Sequence, residues 1–470
     1  MIKFHVDKRQ KSNYIYKQIY EKLKEFILDH KVSAGNKLPS KRELSNELGV
    51  SINSVATAYE QLLAEGYIYT VERKGYFVED IAHFVNGNSS KEHELPEHLK
   101  ETSSDEKGWL SFSHIKTDHS MFPFHEWMKS QQNAISQHKT ELSGIAHPQG
   151  PFTVRKTISD MIGLTRGVTC EPEQIIIGTG IHPLIHQLMA IQGTDTKIAV
   201  ENPGYSRVFR ILKSLKLDVL PIGLDKVGMD IKEIETSNPD FLYITPSHQF
   251  PTGTIMPISR RVELLNWAAT GEDRYIIEDD YDSEFKYGTD NIPSLQSFDR
   301  NQRVIYFGTF SKTLLPSFRI SYMVLPPKLL EMYQFHYSDR IQGCSSLLLY
   351  ALHYFIQNGE YAKHIKRMNQ HYDKKRKQLI KELYTRFQNR IKIKDTPAGL
   401  HFLAEFDTYK SYEDIKVRAK QEKLEIYTMK HFLLGNDDGK PKIIEIVIGF
   451  ASIKEDEIVE AVDRLYRVVC

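Results

Sequence analysis

The chain has 470 residues, with 62 Lys and Arg against 61 Asp and Glu, a formal net charge of +1. It is long enough for roughly two to four domains with sizeable cores, and near-parity of charge excludes a globally basic coat but not a local basic patch. With 40% apolar and 26% charged residues, a mainly disordered chain is excluded.

No apolar run nears the roughly 18–20 residues of a membrane span. Residues 1–10 hold no apolar signal core. Cys170, Cys344 and Cys470 are too widely spaced for a disulfide framework or a zinc pattern. The expectation is a reducing cytoplasm, no membrane and no metal.

In chain order, Ile15, Ile19, Leu23 and Ile27 recur at helical spacing with Phe26 beside them. Beyond Gly35, Ser40 and Glu43 fit a capping box, which starts a second, short helix that ends near Gly49. Ser51 is placed to cap a third helix, with Val55, Tyr59, Leu62 and Leu63 inward and Gly66 at its end. Residues 67–71 and 75–78 read as two strands around Glu72-Arg73-Lys74. Three helices and a two-stranded wing make a winged helix-turn-helix over residues 1–80. Residues 81–108 are rich in charge, Ser, Pro and turn formers, as a polar linker is.

From residue 109 onward, strands alternate with helices. Strands are expected at 174–177, 197–200, 240–244, 275–277, 304–307 and 320–325, the pattern of a mostly parallel sheet covered on both faces. Residues 327–387 are dominated by helical stretches. From Ile391 short strands and helices mix, as in a small C-terminal α+β subdomain. The chain is therefore α/β and multi-domain, with residues 109–470 as the second folded body.

In open α/β sheets, ligands collect at the carboxyl ends of the strands. Thr179 and Gly180 follow the first expected strand and lead into a helix, whose free N–H groups suit a phosphate. The next strands are followed by Tyr205 and Arg207, by Pro246-Ser247-His248-Gln249-Phe250-Pro251-Thr252-Gly253, by Asp279-Asp280-Tyr281-Asp282, and by Thr309, Ser311, Lys312 and Arg319. Singly these are weak: Gly-x-Gly is usually a turn, an acidic run a surface loop, a lone lysine a solvated charge. Lys312 stands after a buried strand, between a Ser and two leucines, and the ordered set carries the reading.

That set resembles the fold-type I pyridoxal-phosphate enzymes, the aminotransferase class I/II family, over roughly residues 109–470. The resemblance implies pyridoxal 5'-phosphate as cofactor and Lys312 as the amine that takes its aldehyde. It implies Asp279 on the pyridine nitrogen, Tyr281 on the ring oxygen and Tyr205 stacked on the ring. Thr179, Gly180, Thr309, Ser311 and Arg319 would hold the phosphate. One departure is clear. The family usually carries Asn-Pro-x-Gly, its Asn touching the ring oxygen, where this chain has Phe250-Pro251-Thr252-Gly253. At most weak transamination is expected.

The first body resembles the GntR family of winged-helix regulators, through Leu38-Pro39-Ser40-Lys41-Arg42-Glu43-Leu44 and Gly75-Tyr76-Phe77-Val78. Fusion to an aminotransferase-like body marks the MocR subfamily, and within it the chain is most similar to the GabR type, which responds to γ-aminobutyrate. The resemblance implies operator DNA, a small amino-compound effector sensed by imine exchange, and a head-to-tail, domain-swapped homodimer as partners.

For DNA, the expected readers are Ser51, Asn53, Ser54 and Thr57 on the third helix, with Lys41, Arg42, Arg73 and Lys74 on phosphates or the minor groove. GntR members often carry Arg two residues after Val50, where this chain has Ile52. For the effector, the GabR-type arginine before a Phe is replaced in Met429-Lys430-His431-Phe432, so Arg207, Lys430 and His431 are the candidates. Two other readings stand beside this one: a working aminotransferase with an accessory DNA-binding module, and a regulator sensing the cofactor itself.

Overall fold

The computed structural model describes residues 4–7, 14–81, 95–100, 107–288, 292–434 and 443–470. The chain divides into two compact units, Met1–Ser104 and Asp105–Cys470. Most of the expected linker, 81–108, lies outside the described residues; within it Glu97–Leu99 form one 3-10 turn.

In the first unit, α1 (Ile15–Leu28), α2 (Lys41–Leu48) and α3 (Ile52–Ala64) precede β1 (Ile68–Val71) and β2 (Gly75–Val78), an antiparallel wing. The expected capping box is present at the start of α2: Glu43 N–H donates to Ser40 Oγ and Ser40 N–H to Glu43 Oε2. Gly49 ends α2 at φ +60, where the left-handed backbone favours glycine. Ile19, Leu23, Ile27, Leu44, Val55, Tyr59 and Leu62 form the core, while Leu63, expected inside, is only half-buried. Tyr59 is buried whole, and its hydroxyl donates to the Pro39 carbonyl at 2.8 Å. The periodicity did not reveal that Val6, ahead of α1, is buried in this core as well.

In the second unit, β3 (Leu110–Ser111) precedes a seven-stranded sheet of β4 (Ile175–Gly178), β5 (Lys197–Asn202), β6 (Asp218–Gly223), β7 (Phe241–Ile244), β8 (Tyr275–Asp280), β9 (Val304–Thr309) and β10 (Ser321–Val324). Their spatial order is β4-β10-β9-β8-β7-β5-β6, with only β10 antiparallel to its neighbours. Strand β6 was not expected; Pro221 and flanking polar residues mask its pattern, as an edge strand tolerates. Strands β8 and β9 run further than expected, so Asp279 and Thr309 lie within strands.

Alternate residues of these strands enter different apolar clusters: Ile177, Tyr306 and Tyr322 pack with helix Phe152–Arg166, and Ile277, Ile305 and Met323 with helix Ile181–Ala190. Both faces of the sheet are thus covered. Helices Pro327–Tyr337, Ser346–Gln357 and Glu360–Phe387 lead to the C-terminal subdomain. There β11 (Ile391–Lys394), β12 (His401–Asp407), β14 (Tyr427–Thr428) and β15 (Ile443–Gly449) form an antiparallel sheet, while β13 (Leu424–Glu425) pairs with β3. The stretch after residue 108 is thereby tied to the subdomain more than 300 residues later in sequence, through the Leu110–Leu424 pairing.

Candidate functional site

A cavity of about 230 Å³ opens at the carboxyl ends of the parallel strands, lined by Lys312, Asp279, Tyr281, Tyr205, Thr309, Ser311, Arg319 and Arg207 among others. Chain segments separated by more than a hundred residues thus meet at one rim, as the topology of parallel strands dictates.

Asp279 is buried at the floor. Tyr243, from β7, donates its hydroxyl to Asp279 Oδ2, while Oδ1 is buried without a partner. Burial raises the Asp279 carboxyl to about 7; Tyr243 pulls down, and Asp280 and Asp282 push up. Lys312 Nζ donates to the carbonyls of His114 at 2.7 Å and Ile115 at 3.2 Å. Burial lowers the lysine to about 8, opposed by Asp282 and aided by Arg207. A lysine so shifted holds a substantial nucleophilic fraction near neutral pH.

Beside the cavity, Gly180 packs against the lining residue Arg319. Gly180 lies at φ +123 before helix Ile181–Ala190, and a Cβ there would stand 2.3 Å from Arg319 Nη2. Only glycine lets the guanidinium lie against that helix start, where N–H groups and cation face the same space. Ser321 Oγ donates to Thr309 Oγ1 at 2.7 Å, which in turn accepts from Ser311 N–H at 3.1 Å. Ser311 Oγ is buried and unpartnered.

Other expected residues lie elsewhere. Neither Thr179 nor Gly180 is in the cavity lining, although Arg319, against which Gly180 lies, is. Of the effector trio, only Arg207 is. Lys430 lines a second cavity of about 780 Å³, with Gln249 and Thr252, and its Nζ stands 3.9 Å from Glu413 Oε1. His431 lines neither; its ring packs 5.4 Å from Tyr427. Burial and then Arg210, Arg207 and Lys416 lower the His431 imidazole, which disfavours its charged form.

Several lining residues were missed: His114, Tyr243, Thr245, Ser321 and His401. A tyrosine inside a buried parallel strand was the available signal for Tyr243, since its hydroxyl needs a partner. His114 and His401 carried none. Phe250 lines the cavity, buried beside His114 at 5.0 Å and Tyr205 at 5.5 Å between ring centroids.

In the first unit, Asn53 and Thr57 of α3, Arg42 of α2, and Arg73 and Lys74 at the wing tip are exposed. The hydroxyls of the helix are partly engaged. Ser51 Oγ accepts from Ser54 N–H at 3.1 Å and pairs with Ser54 Oγ at 2.8 Å, and Thr57 Oγ1 donates to the Asn53 carbonyl at 3.0 Å. Lys41 is half-buried, 3.9 Å from Glu60 and 5.5 Å over the Tyr76 ring. Asn53, Arg42, Arg73 and Lys74 are the more available groups.

A winged helix-turn-helix and a fold-type I aminotransferase fold therefore define the class: a DNA-binding unit joined to an aminotransferase-like one. The profile of bacterial regulatory proteins of the gntR family matches residues 15–78, and that of aminotransferase class I and II matches 105–465. The chain is 37% identical to the HTH-type transcriptional regulator YdeL of Bacillus subtilis over 96% of each chain. It is 30% identical to the probable rhizopine catabolism regulatory protein MocR of Rhizobium meliloti, over 83% of this chain and 82% of that one. The Pyrococcus horikoshii kynurenine aminotransferase superposes with a TM-score of 0.69 at 21% identity, covering 77% of this chain and 90% of that one. The chain belongs to the gntR-family transcriptional regulators with an aminotransferase class I and II domain, the MocR subfamily.

That domain implies pyridoxal phosphate, and the cavity fits it. Asp279 Oδ1, buried and unpartnered, could take the pyridine N–H; Ser311 Oγ is likewise free. Arg319 and the helix start could hold the phosphate, in the space that a side chain at position 180 would fill. Lys312, in the same lining, would supply the amine.

Proposed function

We propose that this regulator binds operator DNA through residues 1–80 and reads an amino compound at pyridoxal phosphate held by Lys312. The observation that carries the reading is the convergence of Lys312, Asp279, Tyr281 and Arg319 on one cavity. When bound, the cofactor supplies an aldehyde that takes up primary amines and a ring that withdraws electrons. Asp279 would hold the ring nitrogen, Tyr281 the ring oxygen, Tyr205 the ring face, and Thr309, Ser311, Gly180 and Arg319 the phosphate, with Thr179 on its flank. Arg207 anchors the effector's anionic group, since Lys430 faces the other cavity. γ-Aminobutyrate is the effector first to be tried. Without a polar group at Phe250, turnover is weak.

The carbonyls that cap Lys312 belong to residues only three to four beyond β3, where the linker of residues 81–108 enters the second body. With the cofactor held by Lys312, that nitrogen would have fewer hydrogens to offer those carbonyls than the free amine has. This segment is the route by which the site biases DNA binding, because a ligand shifts an equilibrium only through contacts that differ between states. The protein acts in the cytoplasm as a head-to-tail homodimer, matching paired half-sites.

The test is absorbance between roughly 300 and 450 nm for wild type and Lys312→Ala supplied with cofactor, with and without γ-aminobutyrate. A wild-type band absent from the mutant is expected. No band in wild type sinks the reading, and a band that γ-aminobutyrate does not move sinks that effector.

A further inference from the structure

His248 stands between Tyr281 and Asp282 in a space made for it. Its Nδ1 lies 3.0 Å from Asp282 Oδ2 and 3.2 Å from Tyr281 Oη, and Tyr281 Oη donates to the His248 carbonyl at 3.0 Å. Leu400 N–H donates to the same Asp282 oxygen at 3.3 Å, which fixes the carboxylate. Two glycines bracket the ring. A Cβ on Gly399, at φ +71, would stand 2.1 Å from His248 Nδ1 and Cε1 and 2.7 Å from Asp282 Oδ2; one on Gly253 would stand 3.3 Å from Nε2. Asp282 and His248 are buried, and His248 Nε2 has no partner. The ring of His401 lies 4.6 Å from that of His248, tilted by 48°, and the charges of Asp282, Asp279, Glu201 and Asp280 act on Tyr281.

A carboxylate oxygen only accepts, so Asp282 selects the tautomer with hydrogen on Nδ1 and the bare lone pair on Nε2. That choice leaves the unpartnered, buried Nε2 as an acceptor and spares it an orphaned N–H. A phenol oxygen has one hydrogen. The single Nδ1 hydrogen is shared between Asp282 Oδ2 at 3.0 Å and Tyr281 Oη at 3.2 Å; Tyr281 accepts there, and its own hydrogen must point elsewhere. We propose that His248, held by Asp282, is a positioning residue that makes Tyr281 an obligate donor toward the cofactor's ring oxygen, the hydrogen-bonding role that Phe250 leaves unfilled. The inference rests on the cofactor reading above. Without cofactor the hydrogen goes to the His248 carbonyl; with it, to the ring oxygen.

A donor on the ring oxygen stabilises its anionic form, so losing the donor lets the bound cofactor keep its proton to higher pH. The experiment is a pH titration of the absorbance of cofactor-loaded protein. Tyr281→Phe moves the midpoint up by about one pH unit, the size of one such hydrogen bond. His248→Leu moves it the same way, His248→Asn, which restores an N–H near the Nδ1 position, returns it toward wild type, and His248→Leu adds nothing in the Tyr281→Phe background. Asp282→Asn serves where the leucine variant fails to fold. Losing the negative charge by itself moves the midpoint down, whereas freeing the tautomer moves it up. A His248→Leu midpoint at the wild-type value, a full additive shift on top of Tyr281→Phe, or a downward shift in Asp282→Asn overturns the proposal. A wild-type protein that takes no cofactor overturns the cofactor reading and this inference together; a normal band with an unmoved midpoint overturns this inference alone.

Discussion

The two units put their candidate functional groups on opposite sides of the solvent boundary. Asn53, Arg42, Arg73 and Lys74 of the DNA-binding unit are exposed, whereas Asp279, Glu201 and His248 of the aminotransferase-like unit are buried. Exposed cations act on phosphates one by one, screened by salt, and each contributes a modest, nearly additive share. Buried groups act on each other first. Glu201 and Asp279 are both raised to about 7, mainly by burial, and Tyr243, Thr245 and Gln249 are spent on holding them. One unit has a surface that reads, and the other an interior whose chemistry is set by its neighbours.

The sharpest way to break this contrast is Lys312→Ala. The lysine–cofactor band should vanish, and operator binding in a gel-shift titration should no longer respond to γ-aminobutyrate; a response that survives would show that the site does not reach the DNA-binding unit through Lys312. Next in size, Leu62→Ala opens a cavity in the first core, where Leu62 is fully buried. It should cost about 2–5 kcal/mol there and lower the melting of that unit in calorimetry with the cofactor band intact. Asp279→Asn replaces a charge-assisted contact with a neutral one, and equilibrium dialysis should find cofactor bound roughly 10–100-fold more weakly.

The pH dependence comes next. With Lys312 lowered to about 8, its amine is protonated below that pH and neutral above it. The stopped-flow rate of cofactor capture should rise about tenfold per pH unit and flatten near 8; a rise continuing toward the ordinary lysine range would deny the burial effect. The smallest effect belongs to the surface. Arg42→Ala should weaken operator binding a few-fold and reduce the salt slope by about 0.9, one phosphate contact's worth. An unchanged slope would remove Arg42 from the interface.

What was legible in the sequence follows the same division. Helices α2 and α3 came with their own caps, Ser40 with Glu43 and Ser51, and α1 with apolar periodicity alone, so local chemistry announced them. Apart from β6, the parallel strands were visible as apolar runs, but their ends were not: polar Glu278-Asp279-Asp280 continue β8 because the protein interior, not water, receives them. The cofactor candidates followed from reading each strand's carboxyl end. His114 and His401 could not be found that way, since they arrive from a segment before the sheet and from the C-terminal subdomain.

By itself, the sequence determined the elements whose signals are local: caps, helical periodicity, strand cores, and the ordered set from Gly180 to Arg319. It also determined, through Phe250, that a polar group is absent from the usual place. Only the tertiary structure decided which of Arg207, Lys430 and His431 faces the cavity, that the carbonyls of His114 and Ile115 cap Lys312, and that His248 joins Tyr281 to Asp282. These are distances between residues far apart in the chain. They depend on how strands and loops pack and on where two glycines leave room, and no periodicity along one dimension encodes that.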